Sequence, residues 1–125
     1  MQQVNKWLDR LRSLNIFFVT ADVKRGVGLE DLLPNYHIIC AKSDPIITVL
    51  KKQGARIFCL EEEGISLKDC DNNAGRIIDN KNVRDYIKSH SQNSPFIAFF
   101  KPSPKLDALI CDLGFKSLGN STAIN

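Results

Sequence analysis

Apolar runs of strand length recur along the chain, and helical spacing fills the intervals between them. Residues 16–19, 36–40, 55–60 and 95–100 are each a short, nearly unbroken apolar run, and residues 115–118 read as a further short strand after a helix-ending glycine. Such runs suit strands covered on both faces. Val4, Trp7, Leu8 and Leu11 sit at helical spacing, predicting a short amphipathic helix before the first strand. Ser43-Asp44-Pro45 reads as a helix start, with Ile46, Ile47, Val49 and Leu50 as its buried face and Gly54 as its end. Helical text resumes at 73–78 and again at 80–89, where Val83, Tyr86 and Ile87 share a face. Ser103 is placed to cap a further helix, Pro104 suits its first position, and Leu106, Leu109, Ile110 and Leu113 form its apolar stripe up to Gly114. Residues 20–28 and 61–73 have no usable period and read as loops, with a brief helical turn at 29–33.

Strands alternating with helices predict an α/β fold: a three-layer, Rossmann-like open sheet of about five parallel strands, ordered 3-2-1-4-5, with helices on both faces. In such a sheet the ligand site lies beyond the carboxyl ends of the strands, where the order reverses. That places the loop at 20–28 beside the segment at 101–105, the two polar, Gly- or Pro-bearing connections of the chain.

At 125 residues, the chain supports one domain with a modest core. A net charge of +3, spread along the sequence, gives no nucleic-acid footprint. No apolar run approaches the roughly 20 residues that span a bilayer. Lys6, Asp9, Arg10 and Arg12 interrupt the opening segment where an export signal needs an apolar core. Cys40, Cys59, Cys70 and Cys111 show no C-x-x-C spacing, so reduced, buried cysteines in a cytoplasmic protein are expected.

The loop at 20–28 carries Gly26-x-Gly28 without a third glycine, and Glu30 and Asp31 stand where a pyrophosphate needs a bare helix N-terminus. It is therefore a poor dinucleotide fingerprint. Thr20, Asp22, Lys24, Gly26 and Gly28 remain candidates for binding a charged substrate, against a plain solvated turn in which the glycines take left-handed angles. Lys101, Ser103 and Lys105 frame a helix start, where free N–H groups and lysines favour a carboxylate or phosphate, against simple capping by Ser103. His37 and His90 have no nucleophile or carboxylate at a telling spacing, so no triad is inferred. Glu61-Glu62-Glu63 reads as a solvated run rather than a metal site. No catalytic residue and no metal ligand is assigned.

The closing unit, Cys111-Asp112-Leu113-Gly114-Phe115-Lys116-Ser117-Leu118-Gly119-Asn120, follows the pattern of a helix ending in glycine, a short strand and a glycine turn. In this it resembles the pre-ATP-grasp domain of the ATP-grasp enzymes, and the element order extends the resemblance over the chain. The resemblance implies a pre-ATP-grasp-like domain over residues 1–118 and, at 119–125, the start of a linker toward a missing ATP-grasp region. It implies the substrate-side domain of a ligase that activates a carboxylate as an acyl phosphate and joins it to an amine or other nucleophile. ATP and Mg²⁺ would be held by the remaining lobes of the same chain, with a small-molecule substrate at the cleft, no nucleic acid and no membrane. The fragment alone would then be inactive and bind no cofactor. The KPSPK segment departs from the glycine-rich one of biotin carboxylase, which argues against that activity. The alternative is a stand-alone flavodoxin-like or receiver-like module for a small ligand or nucleotide. Asp22 lies near the phosphoacceptor position of a receiver, but the expected acidic pair is missing. A nicotinamide-binding enzyme is disfavoured by the glycine pattern.

Overall fold

The first strand, β1 (Ile16–Thr20), is flanked on both sides and buried along nearly its whole length. A computed structural model describes residues 9, 12–28, 33–66, 74–91, 95–99 and 103–117. Apart from Asp9, which is helical, the predicted helix at 4–11 lies outside the described residues, as do the polar end at 119–125 and most of the helical turn at 29–33. Beside β1 run β2 (Tyr36–Cys40) and β4 (Phe96–Phe99), both parallel to it, with Phe17 opposite His37 on one side and Ile97 on the other. Outside β2 lies β3 (Arg56–Cys59), again parallel. The body of the sheet is thus all-parallel in the order β3-β2-β1-β4. At its outer edge Lys116–Ser117 pairs with Phe96 and Ile97, a two-residue ladder where residues 115–118 predict a strand.

Helices cover both faces. Moving from β1 to β2 to β3 the chain travels one way across the sheet; from β3 to β4 it doubles back. Right-handed crossovers therefore send the first connections over one face and the later ones over the other. Two separate cores show this division. Ile16, Ile38, Cys40, Ile57 and Cys59 pack with Val23, Ile47 and Leu50, so the α-helix Pro45–Lys52 (α1) and the 3₁₀ turn Val23–Gly26 lie on that side. Phe17, Val19, Ile39, Ile97 and Phe99 pack with Ile77, Ile78, Val83, Ile87 and Ile110, which belong to α2 (Ala74–Ile78), α3 (Lys81–Ser89) and α4 (Pro104–Asp112). All five residues of β2 are buried, as a strand between two helical layers requires.

The helix starts follow their caps. Asp44 accepts from the backbone N–H of Ile46 at 3.0 Å, and Pro45 stands in the first turn, where no N–H is missed. Ser103 accepts from Leu106 at 3.2 Å ahead of Pro104 in the same way. Asn80 caps α3 through Asn82 and Val83. Gly114, at φ +84°, ends the last helix in a conformation that only glycine takes without strain. The loop predicted at 20–28 contains the 3₁₀ turn instead of purely irregular chain. Val23, between polar residues in sequence, drives it by burying fully in the apolar core, and Asp22 caps it by accepting from the N–H of Lys24 at 3.0 Å.

Candidate functional site

A cleft of about 880 Å³ opens beyond the carboxyl ends of β1 and β4, where the chain's two directions of travel part. Four pieces of chain form it. Val19 and Thr20 end β1, Ala21 and Asp22 lead into the 3₁₀ turn, and Arg25 belongs to it. Phe99 ends β4. The α4 side supplies Lys105, Leu106 and Leu109, and the α2 side supplies Ala74, Gly75, Arg76 and, just past its end, Asp79. Parallel strands bring these together because every strand enters from the same end and leaves at the same rim.

The rim geometry is fixed by short local bonds. Thr20 is 6 % exposed, and its Oγ1 donates to the carbonyl of Asp22 at 3.1 Å, folding the chain back as it leaves β1. The backbone of Arg25 donates to the same carbonyl at 3.1 Å. The carbonyl of Ala21 accepts from both Ala41 and Lys42, at 3.3 and 3.2 Å, which ties this turn to the end of β2.

Of the residues the sequence nominates, Thr20, Asp22 and Lys105 line the cleft. Lys101 lies outside the described residues. Four others serve the framework. Lys24 points to Asp44 in an exposed ion pair at 3.6 Å. Gly26 is buried, and a Cβ there would stand 3.0 Å from the Phe18 ring and 3.2 Å from Ile38, so close packing requires the glycine. The Tyr36 hydroxyl also donates to the Gly26 carbonyl at 2.6 Å. Gly28, at φ +129°, takes the turn conformation expected of a glycine. Ser103 caps α4. Conversely, Arg76 and Asp79 line the cleft without any local sequence signal. The chain leaves β3 at the same rim, so the next helix begins there; that topological inference is the one signal that finds them.

The other chemistry-bearing groups lie elsewhere. Glu61 accepts from the Ser43 backbone at 2.9 Å, and Glu62 accepts from its hydroxyl at 3.1 Å while pairing with Lys51 at 3.3 Å. These acids tie two strand ends together. Among the described residues no group of three His, Cys, Asp or Glu side chains is placed to hold a metal, and no helix is long and apolar enough to cross a membrane. Cys40 and Cys59 are buried free thiols on adjacent strands, and burial, reinforced by the Cys59 thiol, pushes the Cys40 thiol well up. Cys111 is exposed, contrary to the expectation of burial, because it faces away from the α4 stripe. His37 sits on Phe17 near the opposite ends of the strands and shares a 2.7 Å hydrogen bond with the Tyr86 hydroxyl. Comparison with family models, with curated proteins and with solved structures finds no match to this chain.

Proposed function

We propose that this chain is a small-ligand-binding α/β domain that takes an organic anion in the cleft between the ends of β1 and β4. The observation that carries the proposal is the convergence of Arg25, Arg76 and Lys105 on one opening from three separate elements. Cationic side chains on a framework of strand ends give an anion site whose parts are held by different pieces of the fold. Amide chemical-shift mapping tests it. Titration with a carboxylate or phosphate compound is expected to move residues 20–25, 75–79 and 105–106 together. Shifts confined to one of the three segments, or spread over the opposite end of the sheet, would count against it.

The narrower form of this reading is the substrate-side domain of an ATP-grasp ligase, within a five-stranded, three-layer sheet ordered 3-2-1-4-5. It is supported by the closing unit, in which Gly114 ends α4 and Lys116–Ser117 returns alongside β4. On this reading ATP and Mg²⁺ are bound by other lobes, so calorimetry of the 125 residues with Mg·ATP is expected to give no heat of binding. Tight Mg·ATP binding by this chain alone would remove the ligase form and favour a stand-alone nucleotide module.

A further inference from the structure

We infer that the ligand of this cleft is an amphipathic anion: one carboxylate or phosphate head carried on an apolar ring or chain. The inference rests on the anion-binding reading above and adds the second half of the ligand. Charge sets the head. Among the described residues of the lining, Arg25, Arg76 and Lys105 outnumber Asp22 and Asp79 by a single positive charge, which one anionic group offsets. A polyanion would meet the two carboxylates as well as the three cations.

The apolar lining sets the body. Val19 and Phe99 lie at the strand ends, nearly or fully buried, and Leu106 and Leu109, three residues apart on α4, line the cleft as its apolar wall together with Ala74. Both leucines pack against the core on one side, yet each remains only half-buried, leaving carbon surface open toward the cleft. A bare oxyanion would use the charged rim alone and leave that wall wet. A neutral hydrophobe would cover the wall and take water from the rim charges while bringing no opposite charge of its own. Only a ligand with both parts meets both halves of the lining. The volume, about 880 Å³, also lies in the range of sites that enclose whole organic molecules rather than single ions.

Calorimetric titration of the 125-residue chain separates the alternatives. The probes are 3-phenylpropionate and phenyl phosphate, against propionate, inorganic phosphate and neutral 3-phenylpropanol. Each aryl anion is expected to bind at least about tenfold tighter than its bare counterpart, the gain from covering one ring, and tighter than the alcohol. The tighter of the two aryl anions identifies the head as carboxylate or phosphate. Leu106→Gln is expected to abolish the aryl advantage. Leu109→Gln provides the same test should Leu106→Gln fail to fold, and Arg76→Gln is expected to weaken every anion. Equal affinity for aryl and bare anions, or for 3-phenylpropanol and 3-phenylpropionate, would overturn the amphipathic ligand and leave the anion site standing. Absence of binding by every anion would overturn both.

Discussion

Acidification should destabilise this domain through His37. The ring is 4 % exposed, stacked on Phe17 at 4.7 Å and hydrogen-bonded to Tyr86 at 2.7 Å. Charging it would leave the imidazolium short of water, and the charged groups described around it are cationic rather than acidic. Burial lowers its pKa from 6.5 to about 4, with His90 and then Arg56 adding cationic repulsion. His90, whose ring lies 5.4 Å away on the α3 side, and Arg56, its register partner on β3, would both oppose a second charge. The unfolded chain takes up the proton near pH 6.5, whereas the folded chain resists until about pH 4. Stability is therefore full above pH 6.5 and falls as pH drops toward 4. At about 1.4 kcal/mol per pH unit, the loss amounts to about 3 kcal/mol by pH 4. His37→Phe keeps a ring beside Phe17 and removes the titration. It forfeits about 1 kcal/mol at pH 7 with the Tyr86 bond, then declines less steeply than the parent. Urea denaturation of both proteins at pH 7.5, 6, 5 and 4 reads the difference, because the rest of the chain is common to both. Parallel pH profiles, or an NMR titration placing the His37 ring near 6.5, would refute the reasoning.

Three further outcomes test the frame around the cleft. Tyr36→Phe leaves the Gly26 carbonyl without its 2.6 Å donor and is expected to cost about 1–3 kcal/mol in urea denaturation; a loss below about 0.5 kcal/mol would contradict that bond. Gly26→Val drives carbon into the Phe18 ring and Ile38, with Cβ already at 3.0 and 3.2 Å, and is expected to cost about 1–3 kcal/mol by the same measurement; a neutral result would contradict the close packing. Iodoacetamide at pH 8 is expected to alkylate Cys111 in the native protein and to reach Cys40 and Cys59 only after unfolding, as peptide mass spectrometry would show; early labelling of Cys40 would contradict its burial.

The parallel sheet was legible because its signals are local and repeated. Residues 36–40 are apolar enough to declare a strand with two covered faces, and the Asp44-Pro45 and Ser103-Pro104 pairs declare helix starts within a residue. Once those elements alternate, the rim position of Thr20, Asp22 and Lys105 follows from topology. Other features depend on partners far away in sequence. Gly26 looks like a turn glycine until Phe18 and Ile38 are seen against it. His37 gains its environment from Tyr86, 49 residues on, and no spacing rule reaches that far. The 3₁₀ turn rests on one buried valine in a polar stretch, too little for any periodicity. Lys24 reads as a ligand group by composition and is instead paired across the surface with Asp44.

The central claim is that the chain after β1, the start of α2 and the start of α4 share one rim. A nitroxide attached at Lys105→Cys, with Cys70 and Cys111 replaced by serine, measures this in solution through paramagnetic broadening of amide signals. The account predicts strong broadening at Thr20, Asp22, Arg25 and Arg76, with Tyr36 and Arg56 at the far ends of their strands left sharp. Sharp signals from residues 20–25 together with broadening at Tyr36 and Arg56 would contradict it.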